Sequence, residues 1–392
     1  MLSQRQLFYN HLAQTSETPL ALEIEKAEGV YLIDVSGKRY IDLISGISVS
    51  NVGHRHPKVL AAIKNQLDKY LHLMVYGEYI QTPQVQLAKA LADNLPQNLS
   101  SVYFVNSGSE AIEGAMKLVK RYTGRTEIIF FKNGYHGSTH GSLSIMGNEE
   151  FKNTFRPLLP DVRQIEYNNV NDLKLITECT AGVIVETIQG EAGAIIPQTN
   201  FLKQLRNRCN EVGSLLVADE VQCGFGRTGK LFAFEHYDFI PDILCLAKGM
   251  GGGMPIGAFI SSKEIMHSLT NNPILGHITT FGGHPVSCAA STATLNVLLE
   301  EELIEKVEQK EKLFRSLLKH PRIKSINGKG LLLAIEFESY EENKKIIDKC
   351  IEKGLITDWF LFNARSMRIA PPLTITEEEI KTSCQIIVDS IH

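Results

Sequence analysis

Asp242-Ile-Leu-Cys-Leu-Ala-Lys248 is an apolar run that ends on an amine, and the glycine-rich stretch Gly249-Met-Gly-Gly-Gly-Met-Pro-Ile-Gly257 follows it. The run reads as a strand buried on both faces, with Lys248 at its carboxyl end and glycines clearing the space beside it. An ammonium there is costly to keep dry and charged. Either it pairs with an acid, or its pKa falls until the neutral amine becomes a nucleophile toward carbonyl carbon. Taken alone, the motif equally suits a surface lysine before a glycine loop. Leu215-Leu-Val-Ala-Asp-Glu220 shifts the balance, because Asp219 closes a second apolar run about thirty residues upstream, roughly the length of one strand–helix–strand crossover. Two parallel strands would then bring Asp219 and Lys248 to the same edge of a sheet. An amine and a carboxylate facing one crevice meet the needs of pyridoxal phosphate. Its aldehyde takes the lysine, and a buried carboxylate raises the pKa of its ring nitrogen so that it stays protonated.

A third element offers a place for the phosphate. Val102-Tyr-Phe-Val105 reads as a short strand, and Asn106-Ser-Gly-Ser-Glu110 leads from it into a helical pattern in which Ile112, Ala115, Met116 and Val119 share one face. Ser107, Gly108 and Ser109 therefore stand at a helix N-terminus. Unpaired amides, two hydroxyls and the positive end of the dipole make an anion cradle there, although a serine N-cap alone would look the same.

Further apolar runs, Ile128-Ile-Phe-Phe131, Val183-Ile-Val185 and Ala258-Phe-Ile260, are bounded by polar or turn-forming residues. With the two above they predict an α/β fold whose large domain is a mostly parallel sheet covered by helices. After Gly282-Gly-His-Pro285 come a helical region from Val286 to Leu318, a strand over Gly330–Phe337 and a last helix near Glu377 to Ile391. The expected organisation is a large cofactor-binding domain over residues 51–284, a smaller α+β domain over 285–392, and an N-terminal segment, 1–50, packing with the smaller one.

Composition narrows the function classes. The chain has 392 residues, 43% apolar and 21% charged, enough for two packed domains in an ordinary globular protein. A net charge of −4 and the lack of a basic, aromatic-interleaved stretch give no reason to expect nucleic acid or an anionic membrane as partner. Seven scattered cysteines without a Cys-x-x-Cys pair argue against a disulfide framework and against a zinc site. His54 and His56, in Gly53-His-Arg-His-Pro57, read as loop and helix-start residues rather than metal ligands. The first ten residues lack a signal pattern and no apolar run spans a bilayer, so the expected location is the cytoplasm.

Long motifs place the chain among known sequences. Asn106-Ser-Gly-Ser-Glu110, Tyr135-His-Gly137, Val183-Ile-Val-Glu-Thr-Ile-Gln-Gly-Glu-Ala-Gly193, Ala218-Asp-Glu-Val-Gln222, Gly224-Phe-Gly-Arg-Thr-Gly229, Thr280-Phe-Gly-Gly283 and Arg368-Ile-Ala-Pro-Pro372 occur in order along nearly the whole chain. In these it resembles the class III, fold type I aminotransferases that use pyridoxal phosphate, and within them the acetylornithine and ornithine branch. The resemblance implies that Ser107, Gly108 and Ser109 hold the phosphate, with Tyr135, beside His136, stacking on the ring. It implies further that Asp219 pairs the ring nitrogen, Gln222 reaches the phenolic oxygen, and Lys248 carries the imine and moves the proton. Thr280 resembles the residue that reaches the partner subunit's phosphate, implying a homodimer.

For the substrate, the resemblance implies that Glu191 and Arg368 form an ion pair that opens and closes, Arg368 taking a carboxylate in two-pronged fashion. The implied reaction moves an amino group, from a terminal or ω-amine of an amino acid, to a 2-oxo acid such as 2-oxoglutarate. An aminomutase and an ω-amine:pyruvate aminotransferase are the competing readings, and a non-enzymatic relative would be expected to lack Lys248 or Asp219. Four places depart from the branch: Ser138 stands where an arginine receives the far carboxylate, Thr187 replaces proline, His284 replaces asparagine, and Leu73–Thr82 is unlike its counterpart. These departures predict a recast substrate pocket.

Overall fold

A computed structural model describes residues Leu2 to Ile391. Three short strands come first, β1 (Ile24–Glu28), β2 (Tyr31–Asp34) and β3 (Arg39–Asp42), paired as an antiparallel meander. Seven more strands form the central sheet. They are β4 (Ser101–Val105), β5 (Glu127–Phe131), β6 (Val162–Ile165), β7 (Thr180–Glu186), β8 (Leu215–Asp219), β9 (Ile243–Leu246) and β10 (Gly257–Ser261), in the spatial order β4-β10-β9-β8-β7-β5-β6. From β6 to β9 all neighbours run parallel, whereas β10 is antiparallel to both β9 and β4. Every residue of β7, β8 and β9 is buried, as expected for apolar strands covered by helices on both faces.

The C-terminal part contributes β11 (Ser325–Lys329), β12 (Leu332–Glu336), β13 (Leu355–Ile356), β14 (Trp359–Phe360) and β15 (Asn363–Ile369). Four of these make an antiparallel sheet, β11-β12-β15-β14, while β13 leaves it to pair in parallel with β3. The helical region after Pro285 is two helices, Pro285–Glu300 and Val307–Leu317, broken by a turn in which Glu302 takes φ 51°. The last helix runs Glu377–Ser390 and opens on a Thr376–Glu379 capping box.

The crossover between Asp219 and Lys248 differs from expectation, because it carries a 3-10 turn, Ala233–His236, and no α-helix. Its Gly226 and Gly229 sit at φ 84° and 91°, conformations a helix does not tolerate. Arg227 between them is fully buried and donates to Leu331 O at 3.0 Å, to Pro371 O and to Asn51 Oδ1. That arginine nails the crossover to the C-terminal sheet. The parallel register survives: Val217 pairs Ile243 and Asp219 pairs Cys245, so the carboxyl ends of β8 and β9 emerge side by side.

Candidate active site

At that edge lies a cleft of about 420 Å³. Its wall brings together Ser107, Gly108, Ser109, Tyr135, His136, Asp219, Gln222 and Lys248, all named from the sequence. Lys248 stands two residues past the end of β9 and takes φ 47°, a left-handed backbone that costs a non-glycine residue roughly 1–2 kcal/mol. Burial lowers the pKa of its ammonium, and Arg368 pushes the same way against Glu191, Asp219 and Glu186. The amine is thereby moved toward the nucleophilic form.

Asp219 ends β8 and is 4% exposed. Its Oδ2 lies 2.8 Å from His136 Nδ1, and its Oδ1 accepts from Val221 N at 3.0 Å. Burial opposes charge on the His136 ring. The Asp219 hydrogen bond and field, with Glu186, nevertheless hold its pKa above the ordinary value. The other ring nitrogen, Nε2, is buried without a partner among the described residues.

The helix Gly108–Thr123 begins at the cleft because Ser107 caps it, its hydroxyl accepting from Glu110 N at 3.2 Å and its carbonyl from Ala111 N. That leaves the amides of Gly108 and Ser109 as the orphan donors of the first turn. Gly137 closes over them. A Cβ at that position, where φ is 122°, would lie 2.1 Å from Ser109 Oγ. Two free amides and a hydroxyl at a helix N-terminus suit a dianion, and the strand-end carboxylate and amine suit the rest of pyridoxal phosphate.

Glu186 is a cleft residue that sequence reasoning passed over. It ends β7, its carboxylate accepts from Tyr135 N and Gly190 N at 2.8 Å each, and burial pushes its pKa up to about 7. Its signal was visible as the one acid closing the run Val183–Glu186. Burial raises the pKa of the Tyr135 phenol as well.

Glu191 and Arg368 stand behind Gln222, off the cleft wall. Gln222 Nε2 donates to Glu191 Oε1 at 3.3 Å, and Arg368 binds both oxygens of Glu191 at 3.0 Å. Burial works against the charge on Glu191, but Arg368 holds its carboxyl below the ordinary range. Thr280 is not in the cleft; it lies on an exposed segment together with Phe281.

Two of the departures have local roles. Thr187 Oγ1 donates to Glu220 Oε1 at 2.8 Å, joining Ala233 N and Phe234 N on that buried carboxylate, a bond proline could not supply. His284 caps the helix at Pro285 and stacks on His72, 5.6 Å between centroids. Ser138 is exposed. His54 Nε2 bonds Asp42 at 2.8 Å, and His56 precedes the helix Pro57–Leu67. Among the described residues no helix is long and apolar enough to cross a membrane.

A strand-end lysine and aspartate, facing an amide cradle across one cleft of a mostly parallel sheet, define a fold type I pyridoxal-phosphate-dependent transferase. Known proteins agree. The model for the aminotransferase class-III family matches residues 12–391. An acetylornithine aminotransferase from Methanopyrus kandleri is 40% identical over 385 residues, 97% of each chain. Among solved structures, an ornithine aminotransferase from Toxoplasma gondii superposes with a TM-score of 0.92 at 30% identity, covering 100% of this chain and 95% of its own. An adenosylmethionine-8-amino-7-oxononanoate aminotransferase from Methanocaldococcus jannaschii gives 0.92 at 31%, covering 99% and 98%. The chain belongs to the class-III aminotransferases, enzymes that work with pyridoxal phosphate.

Proposed function

We propose that this aminotransferase takes the terminal or ω-amine of an amino-acid-like donor and passes it to a 2-oxo acid such as 2-oxoglutarate. The reading is carried by the closed Glu191–Arg368 pair behind Gln222, 3.0 Å on both prongs. Closed, the pair is neutralised and leaves room for an uncharged or cationic chain. Opened, Arg368 offers two parallel N–H donors to the carboxylate of an oxo acid. The acetylornithine and ornithine aminotransferases among its relatives support the same class of donor.

Bound in the cleft, pyridoxal phosphate would supply an aldehyde that captures amines and a ring that accepts electron density. The residues of the chain do the rest. The amides of Gly108 and Ser109, with the hydroxyls of Ser107 and Ser109, hold the phosphate. Asp219, oriented by His136, would keep the ring nitrogen protonated, while Tyr135 would cover the ring and Gln222 would serve its phenolic oxygen. Lys248 would hold the aldehyde and, as a free neutral amine, would take a proton from the substrate carbon. Its lowered pKa suits a base that must be neutral when it acts.

The unit we propose is a homodimer in which Thr280 reaches the partner's phosphate. Two exposed segments support it: His72 packs on Phe281 with 4.8 Å between ring centroids, and Tyr79, Ile80, Ile274 and Ile278 lie uncovered on the same stretches. Ser138 favours a second reading, an ω-amine:pyruvate enzyme, because a serine cannot hold a far carboxylate as arginine does.

The test is a steady-state panel of ornithine, N-acylornithines, lysine, 4-aminobutyrate and simple ω-amines against 2-oxoglutarate and pyruvate. Purified enzyme should be yellow, borohydride should fix the cofactor to Lys248, and turnover should require an added oxo acid. Turnover without one would make the protein an aminomutase. A clear preference for pyruvate would establish the second reading.

A further inference from the structure

Arg368 is gripped from two sides. Its Nη1 and Nη2 bind Glu191, and its Nε donates to Asp358 Oδ1 at 2.8 Å. The ring of Phe360 lies 4.3 Å from the guanidinium carbon. The side chains of Arg368 and Glu191 are 2% and 5% exposed, that of Asp358 27%. Asp358 stands immediately before β14, and Arg368 lies on the partner strand β15, with Arg368 N donating to Asp358 O at 2.9 Å. Backbone pairing therefore holds the second carboxylate on Nε. Glu191 comes from a separate loop after β7 and is tied to the hairpin tip only through Leu361 N, at 3.1 Å, and its own carbonyl.

The two carboxylates have different jobs. If a 2-oxo acid is to bind Arg368, Glu191 must leave the two-pronged edge. With Glu191 as sole partner, that step would strand a buried cation against a phenyl ring, an arrangement proteins avoid because desolvated charge without a partner is strongly unfavourable. Asp358 removes the obstacle. It occupies Nε, which points away from the edge Glu191 holds, so the guanidinium stays compensated and aimed while that edge is free. Burial raises the Asp358 pKa and Arg368 opposes that rise, as expected for a carboxylate kept in place by this one cation.

We propose that Asp358 is a positioning residue for the oxo-acid half of the reaction: it keeps Arg368 neutralised and oriented while Glu191 swings aside. The proposal rests on Arg368 as the oxo-acid carboxylate site, so the experiment separates the two. Half-reactions of the holoenzyme would be followed by absorbance in Asp358→Asn, Asp358→Glu and Arg368→Lys, using the best donor from the panel and 2-oxoglutarate.

Asp358→Asn should raise the 2-oxoglutarate concentration for half-maximal rate about tenfold or more, with the donor half-reaction changed less than about twofold. Asp358→Glu should recover most of the loss. The preserved donor half-reaction reports that the fold is intact. Equal damage to both half-reactions, no effect on either, or tighter 2-oxoglutarate binding in Asp358→Asn would overturn the proposal. If Arg368→Lys kept wild-type affinity for 2-oxoglutarate, the carboxylate site itself would be misassigned, whatever Asp358 does.

Discussion

His136 Nδ1 stands 2.8 Å from Asp219 Oδ2, with the two side chains 1% and 4% exposed. They arrive from different places, Asp219 from the end of β8 and His136 from the loop after β5, so the bond fixes a strand-end carboxylate from the side. In the role proposed above, Asp219 has to keep a fixed angle toward the cofactor ring. His136 sets the angle.

Replacing His136 by Asn should therefore lower turnover about ten- to a hundredfold with the cofactor still bound. Its pKa is raised in the folded protein, so the stabilisation from the pair is fully present below about pH 6.5 and is lost as pH climbs through the folded value. Urea midpoints of cofactor-free wild type and His136→Asn, compared from acid to alkaline pH, should converge upward from pH 6.5. A constant gap would show that the imidazolium is not what stabilises.

Asp219→Ala should damage chemistry more than binding. We expect kcat to fall on the order of a thousandfold, about 4 kcal/mol of barrier, with a much smaller rise in cofactor Kd measured by absorbance titration. A variant that lost cofactor and rate in the same proportion would assign Asp219 to retention only.

Gly137→Ala tests the cradle. The added methyl would meet Ser109 Oγ at 2.1 Å on a backbone that side chains rarely adopt. Cofactor Kd should rise tenfold or more, about 1.4 kcal/mol, and inorganic phosphate should compete less well.

Glu220 gives stability a pH slope. Burial pushes its pKa up to about 7 from an ordinary 4.5, so the folded state keeps a proton the unfolded state has lost, and stability declines as pH rises between those values. Glu186 acts with the same sign. Glu220→Gln should reduce the slope without abolishing it. Thr187→Val, which removes one donor from that carboxylate, should cost about 1 kcal/mol in denaturant unfolding and leave kcat unchanged.

Much of this was legible in the sequence for a physical reason. Strands buried on both faces must be continuous apolar runs, so Leu215–Ala218 and Ile243–Leu246 announced themselves, and the charged residues closing them had to lie at the sheet edge. Helix periodicity placed Ser107-Gly-Ser109 at a helix N-terminus, and only the family resemblance gave it a phosphate role. Direction was not legible: Ala258-Phe-Ile260 looks like its parallel neighbours yet runs antiparallel, because an apolar run carries no sign of orientation. Nor was the absent crossover helix, since its turns depend on Arg227 reaching Leu331 and Pro371 far along the chain. The grip of Asp358 on Arg368 needs a two-residue hairpin tip, Leu361-Phe362, and its first strand, Trp359–Phe360, is too short to show alternation. Polar partnerships between distant segments are a property of the fold, and local pattern does not encode them.

The parallel pairing of β3 with β13 joins residues near the two ends of the chain. During synthesis β3 leaves the ribosome long before β13 exists to pair with it, whereas every strand of the central sheet has already emerged by then. Until β13 arrives, the outer edge of β3 is a free template on which another copy could pair.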